Sequence, residues 1–406
     1  MNKMRFVALL LCGCMLFLSG CTARGDVQSN KVPEAVIETA AETTLPPEEV
    51  IDITTTLDPI KTELDEICKK YEATGVQIAV LKDGKLYGTH QYGMAVKEDE
   101  IPVTEDTKFR IASLSKLVTD IIFMRLSEEG LVSLDEDIST YLGFKVRNPR
   151  YPEDVITPAM LMSHMSSIID SSQFLDSRLD GSREKLQDLL ERRDSYSGAE
   201  PGTDYSYSNF SIAIVGCICE KVTGKNFDQL ADEYIFDLLD IDAGYTATNI
   251  KNQAHLGALY GEGGRTIAQQ LDEKFCDELG QTHHLVQGNL TISAKDYITI
   301  ASVLCNDGVA ADGTRILEKE SVDRMLADPV GFGFERNLHV IEGKEFLFHT
   351  GCNFGMFSGY VIDPEADFGV CVLTSGAPGT KDEASYIYKI ILEIIRASYD
   401  LCVPWQ

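Results

Sequence analysis

Apolar residues recur along this chain with two different periods, and the switch between them outlines the fold. Ile60, Leu64, Ile67, Cys68 and Tyr71 fall at helical spacing. Asp58-Pro59 supplies an N-cap followed by proline at the first helical position, and Gly75 can close the helix. Two strands are predicted near 77–81 and 85–92, joined by Asp83-Gly84, a strong hairpin signal. From about Ser113 to Leu326 the pattern turns mainly helical. Leu117–Leu126, Ile212–Val222 and Ile298–Leu304 each suit a buried helix stripe, and Gly130 and Gly224 stand where C-terminal caps belong. Strand character returns at Phe346–His349, Met356–Ile362 and Phe368–Thr374. Pro364-Glu365-Ala366-Asp367 forms the last turn, and an amphipathic helix over Ala384–Ala397 closes the chain.

Strands, then many helices, then strands and a helix predict an α/β (α+β) fold. One mainly antiparallel sheet takes hairpins from both ends of the chain. N- and C-terminal helices flank it, with an all-helical lobe of about residues 113–326 inserted. The folded domain is expected over 58–406, without internal repeats.

The first residues follow another logic. Lys3 and Arg5 precede an apolar run from Phe6 to Gly20, too short for a bilayer, where roughly 20 residues are needed. This reads as an export signal over residues 1–20. Its end, Leu18-Ser19-Gly20-Cys21, resembles the lipobox of bacterial lipoproteins. That resemblance implies a lipidated Cys21 and an extracytoplasmic protein anchored to the bacterial cell membrane, firmly so if two or more acyl chains are attached. A plain secretory signal with a chance cysteine is the alternative. Residues 21–57, rich in Glu, Thr, Ala and Pro, are expected to form a disordered tether spanning on the order of 30–40 Å. Arg24-Gly25-Asp26 within it is assigned no role.

The 406 residues are 44% hydrophobic, enough for a sizeable core in one large two-lobed enzyme or in two or three units. Net charge is −28 without a basic cluster, which argues against nucleic acid as a partner. Of eleven cysteines, three fall in the leader through Cys21, leaving eight. Cys217, Cys219, Cys305 and Cys371 lie inside apolar runs, so mostly free, buried thiols are expected. No Cys-x-x-Cys occurs, and His283-His284 has no third ligand at suitable spacing. Gly261–Gly264 lacks the strand-to-helix setting of a phosphate loop. Neither metal nor cofactor is expected.

Three short patterns carry chemistry. Ser113-Leu114-Ser115-Lys116 offers a hydroxyl with an amine one helical turn away, which can make serine nucleophilic without histidine. A second copy, Ser182 to Lys185, sits in a polar stretch and reads as noise. Ser113 is placed at a buried helix N-terminus, where N–H groups and the dipole favour developing negative charge. Burial is expected to depress the Lys116 pKa and so make it a base. The plainer alternative is an N-cap serine with a snorkelling lysine. Tyr207-Ser208-Asn209 supplies a phenol able to shuttle protons and a carboxamide for a substrate amide, or else a turn with Asn209 as helix cap. His349-Thr350-Gly351 supplies a cationic or hydrogen-bonding strand edge, along which Gly351 lets a substrate lie as an added strand. The alternative is a histidine at a strand end.

Their order resembles the serine β-lactamase and penicillin-binding superfamily, in its class C β-lactamase, D,D-peptidase and esterase branch. Phe109–Lys116, Leu126–Tyr141, Tyr207–Gly224 and Gly331–Thr374 support the resemblance, which runs from about residue 60 onward. It implies that Ser113 is acylated and that Lys116 and Tyr207 activate it and protonate the leaving group. Asn209 would hold the substrate's amide, and His349 and Thr350 would face its carboxylate or ester end. The backbone N–H groups of Ser113 and Cys352 would form the oxyanion hole. Three positions depart from the pattern. His349 stands where class C β-lactamases usually carry lysine and looks more like D,D-peptidases and the esterase-like members. Largely neutral at pH 7, it would grip a carboxylate weakly, and a cationic His349 would lose that grip past about pH 6.5. Ser163-His164-Met165-Ser166-Ser167 lacks the glycine of the common Thr-His-Thr-Ser-Gly phrase, and Asn289 replaces another glycine.

The expectation is a cofactor-free, lipid-anchored serine hydrolase acting on D-Ala–D-Ala-type peptides, β-lactams or carboxylic esters, with peptidoglycan as a natural partner. The alternative is a catalytically inactive penicillin-binding-like ligand sensor. Oligomeric state is left open.

Overall fold

The computed structural model describes residues 55–180, 184–327 and 330–403. Cys21, the leader, the tether through residue 54 and Ser182 lie outside them. Nine strands are described: β1 (Gly75–Lys82), β2 (Lys85–Val96), β3 (Ile101–Pro102), β4 (Phe109–Arg110), β5 (Thr291–Ile292), β6 (Glu335–Ile341), β7 (Lys344–Asn353), β8 (Met356–Asp363) and β9 (Phe368–Ser375). Seven form one antiparallel sheet in the order β3-β2-β1-β9-β8-β7-β6, while β4 and β5 pair separately. Both ends of the chain therefore meet in the middle of the sheet, where β1 pairs with β9 from Gly75–Ser375 to Leu81–Gly369.

Five helices position the site: α1 (Lys61–Lys70), α2 (Ser115–Glu128), α3 (Asn209–Thr223), α4 (Ala294–Ala301) and α5 (Lys389–Cys402). Central strands are apolar on both faces, as sheets covered on both sides must be. Val370 and Val372 of β9 pack in one core with residues of α1 and α5, such as Leu64 and Ile394. Cys371 and Leu373 point the other way, into a core with α2, α3 and α4.

Several local expectations shift for identifiable reasons. Asp58-Pro59 opens a 3-10 turn rather than capping α1, and its side chain makes no capping bond. The helix ends at Tyr71, and Gly75 instead begins β1, where a Cβ would meet the Met94 carbonyl oxygen at 2.5 Å. Asp83 and Gly84 both take positive φ (52° and 69°), as a tight hairpin turn requires. The closing helix starts at Lys389, not Ala384, because the Asp382 carboxylate accepts from the Ala384 and Ser385 N–H groups and holds a turn there. β6 has no simple alternation and escaped the sequence pattern. Gly224, at φ 71°, caps α3, and Gly130, at φ 72°, follows α2. All eight described cysteines are free; five are buried, and Cys352 is exposed.

Candidate active site

The turn carrying Ser113 is a 3-10 segment, Ala112–Leu114, set just ahead of α2 rather than at its first residue. Ala112 adopts φ 52°, an unfavourable left-handed conformation for a residue with a Cβ. Interactions around the turn hold it there. Ser115 donates to the Ala112 carbonyl at 2.6 Å and accepts from the Leu290 N–H at 3.0 Å. On β8, the Ser358 hydroxyl donates to the Ile111 carbonyl at 2.7 Å.

Lys116 is fully buried in the first turn of α2. Its Nζ lies 3.1 Å from Ser113 Oγ, 2.9 Å from Asn209 Oδ1 and 2.7 Å from the Gln287 carbonyl oxygen. The Tyr207 hydroxyl donates to Ser113 Oγ at 2.9 Å, and Lys116 Nζ sits 5.1 Å from the Tyr207 ring centre. Tyr207 is 37% exposed to solvent. Burial of the rest pushes its phenol above the ordinary range, opposed by the Ser113 contact, so it carries its proton at neutral pH. Lys116, one helical turn away, and Tyr207, distant in sequence, thus converge on the Ser113 oxygen.

At the start of α3 the cap is Ser208, whose Oγ accepts from the Ser211 N–H at 3.1 Å. Asn209 is therefore the first helical residue, and its side chain is released toward Lys116. Sequence reasoning missed Asp170, which binds three consecutive residues here: Asn209 Nδ2 at 2.7 Å, the Phe210 N–H at 2.8 Å and the Ser208 hydroxyl at 3.2 Å. It is a single acid in an unremarkable stretch, so no spacing signals it. In the sequence His164 stands out only as part of the phrase Ser163–Ser167. Its ring packs 4.6 Å from that of Tyr207, and its Nδ1 accepts from the Ser208 N–H at 3.3 Å.

β7 forms the opposite wall. β6 accompanies it only as far as the Glu335–Phe348 pair, so in the register Thr350, Gly351 and Cys352 pair with β8 alone. A Cβ on Gly351 would meet Ser358 Oγ at 2.3 Å, the Ile111 carbonyl oxygen at 2.7 Å and the Ser113 nitrogen at 3.0 Å. Only glycine lets the strand lie against the nucleophile turn. His349 has the neutrality at pH 7 expected of it, and keeps it to far lower pH than an exposed histidine would. Burial pushes its pKa down to about 3, so it is a neutral imidazole. Its Nδ1–H donates to the Thr350 carbonyl at 2.8 Å.

The phrase that lacks its glycine keeps the backbone shape glycine would supply. Ser167 takes φ 64° and is tied down where its Oγ accepts from Asn148 Nδ2 at 3.0 Å. A cavity of about 470 Å³ adjoins the site, with walls that include Gln287, Gly288, Asn289, Asn353 and Phe354. Gln287 and Gly288 also border the nucleophile turn, through the Lys116 contact and the approach of Gly288 to Ala112. His283 and His284 line this cavity with rings 4.4 Å apart, and no group of three or more candidate metal ligands occurs among the described residues.

The family model described as Beta-lactamase matches residues 60–393. Penicillin-binding protein 4 of Amycolatopsis lactamdurans is 25% identical over 333 residues, covering 78% of this chain and 84% of the relative. The D-amino acid amidase of Ochrobactrum anthropi SV3, solved with L-phenylalanine, superposes with a TM-score of 0.66 at 20% identity, over 85% of this chain and 97% of that one. The D-alanine carboxypeptidase AmpC of Burkholderia cenocepacia superposes with a TM-score of 0.60 at 19% identity, with coverages of 85% and 97%. With the sheet, the inserted helices and the family match in agreement, the chain belongs to the beta-lactamase family and, with it, to the serine hydrolases.

Proposed function

We propose that this protein forms an acyl-enzyme on Ser113 and acts at the bacterial cell surface on D-Ala–D-Ala-type peptides, β-lactams or carboxylic esters. The observation that carries this reading is the meeting of Lys116 Nζ and the Tyr207 hydroxyl on Ser113 Oγ, at 3.1 and 2.9 Å. In acylation Oγ bonds to the substrate's carbonyl carbon, and its proton passes to the free-base amine of Lys116. That amine keeps two N–H groups for Asn209 Oδ1 and the Gln287 carbonyl and turns its lone pair toward Oγ. Tyr207 gives its proton to the leaving nitrogen or oxygen as that bond breaks and regains one from Lys116. The N–H groups of Ser113 and Cys352 take up the charge on the carbonyl oxygen. Water then cleaves the ester by the reverse proton path.

Thr350, Gly351 and the neutral His349 offer the substrate a strand edge. The relatives are named for penicillin binding, D-amino acid amidase and D-alanine carboxypeptidase action, which favours amide bonds beside a D-residue over simple esters. Anchored through Cys21 and a tether that ends before the buried Leu57, the enzyme would face wall peptides, and peptidoglycan is the natural substrate on this reading.

Intact masses after incubation with a fluorescent penicillin, and separately with a fluorophosphonate, test the proposal. Wild type should gain one probe mass and Ser113→Ala none. Failure of both probes to add mass to wild type would leave a ligand-binding protein instead.

A further inference from the structure

Asn209 is committed at both ends. Its Nδ2 donates to Asp170 Oδ2 at 2.7 Å, and its Oδ1 accepts from Lys116 Nζ at 2.9 Å. The two contacts fix the amide's orientation on chemical grounds. A carboxylate accepts hydrogen bonds, so the NH₂ end must face Asp170, and the oxygen must then face the lysine.

We propose that Asp170 is a positioning residue for acylation: acting through Asn209 it holds Lys116 against Ser113, and it draws the Asn209 amide donor away from the substrate. The inference rests on the reading of Lys116 as the group that takes the Ser113 proton. Lys116 has a long side chain whose end is located by two acceptors, Asn209 Oδ1 and the Gln287 carbonyl, and by its contact with Ser113 Oγ. Removing one lets Nζ drift, and a misplacement of about 1 Å can slow a reaction on the order of a hundredfold. Asp170 alone among the described acids binds Asn209, and it does so while also accepting from Phe210 N–H and Ser208 Oγ. Those two bonds anchor the carboxylate at the α3 N-terminus, so the orientation of Asn209 is built into the start of that helix. Asn209 then belongs with the proton-transfer machinery rather than with substrate recognition.

Asp170 also stabilises α3, and the test must separate the two roles. The probe reaction is Ser113 labelling by fluorescent penicillin, followed as a second-order rate constant in Asp170→Ala, Asn209→Ala and the double variant, with a melting temperature for each. Asp170→Ala should slow labelling at least about tenfold in wild type but less than about twofold in the Asn209→Ala background. Its effect on melting should persist in both. An equal slowing in both backgrounds overturns the proposal and leaves Asp170 a helix anchor. If Asp170→Ala does not fold, Asp170→Asn replaces it, because an amide keeps an acceptor for the helix. Should wild type take up no probe, the acyl-enzyme reading fails but this one is still read. The Lys116 side-chain NMR signal in Ser113→Ala, assigned with Lys116→Arg, should move when Asp170 is removed, and an unmoved signal overturns the proposal.

Discussion

At the scale of single residues, protonation state decides what each group can contribute, and His349 shows it most plainly. A histidine at a strand end beside a candidate substrate site invites a cationic role. Burial removes that option by lowering its pKa to about 3. The imidazole stays neutral through the physiological range. Labelling by a carboxylate-bearing penicillin should therefore show no limb near pH 6.5 that disappears in His349→Gln. Overlapping profiles of wild type and variant from pH 5.5 to 8 are expected, and a limb lost in the variant would restore the cation. The same shift has a stability consequence. The unfolded chain binds this proton below about pH 6.5, whereas the folded chain resists it down to about 3. The histidine's contribution is complete above pH 6.5 and drains away as pH falls toward 3. His349→Gln should accordingly lose less melting temperature than wild type between pH 7 and 4.

At the scale of elements, the site is a contact between a turn, two helix starts and a strand edge. The turn before α2 carries Ser113, the start of α3 carries Asn209, and β7 closes on both where Gly351 leaves no side chain in the way. Gly351→Ala would force a methyl group against Ile111 and Ser113 backbone atoms at 2.7 and 3.0 Å, neither of which is a flexible side-chain end. The strand must then retreat from the nucleophile. Labelling should fall about a hundredfold or more, because sub-ångström placement governs such reactions, while circular dichroism keeps the wild-type signature. Undiminished labelling would mean that β7 does not take part in substrate placement. Ser167 makes the complementary point. A left-handed position usually given to glycine is held here by a serine that accepts a buried hydrogen bond, so a motif can lose its signature residue and keep its shape.

At the scale of the whole molecule, the sheet brings the two ends of the chain together and leaves the helices of its middle to build one wall of the site. β1 and β9 sit side by side although nearly the whole folded domain lies between them in sequence. The proposed anchor is also a whole-molecule property. A net charge of −28 over the chain disfavours adsorption to an anionic surface, so on the proposed reading attachment would rest on the leader. In a bacterial host, Cys21→Ser should shift the protein from the membrane fraction to the soluble one and abolish incorporation of labelled fatty acid. Membrane retention without Cys21 would rule the lipid anchor out.

The sequence by itself determined the alternation of strands and helices, the hairpin at Asp83-Gly84, the helix ends near Gly130 and Gly224 and the three motifs that hold Ser113, Lys116, Tyr207, Asn209 and His349. Those features are written in local periodicity and in residue types with narrow conformational uses. Only the tertiary structure decided that Ser208 rather than Asn209 caps its helix, that burial keeps His349 neutral far below the usual histidine range and that Asp170 and Gln287 complete the cluster. Burial, pKa and hydrogen-bond partnership depend on which distant segments arrive at a residue, and a linear pattern carries no record of that arrival. β6 was illegible for a related reason: an edge strand with mixed exposure is defined by the neighbour it pairs with, not by its own alternation.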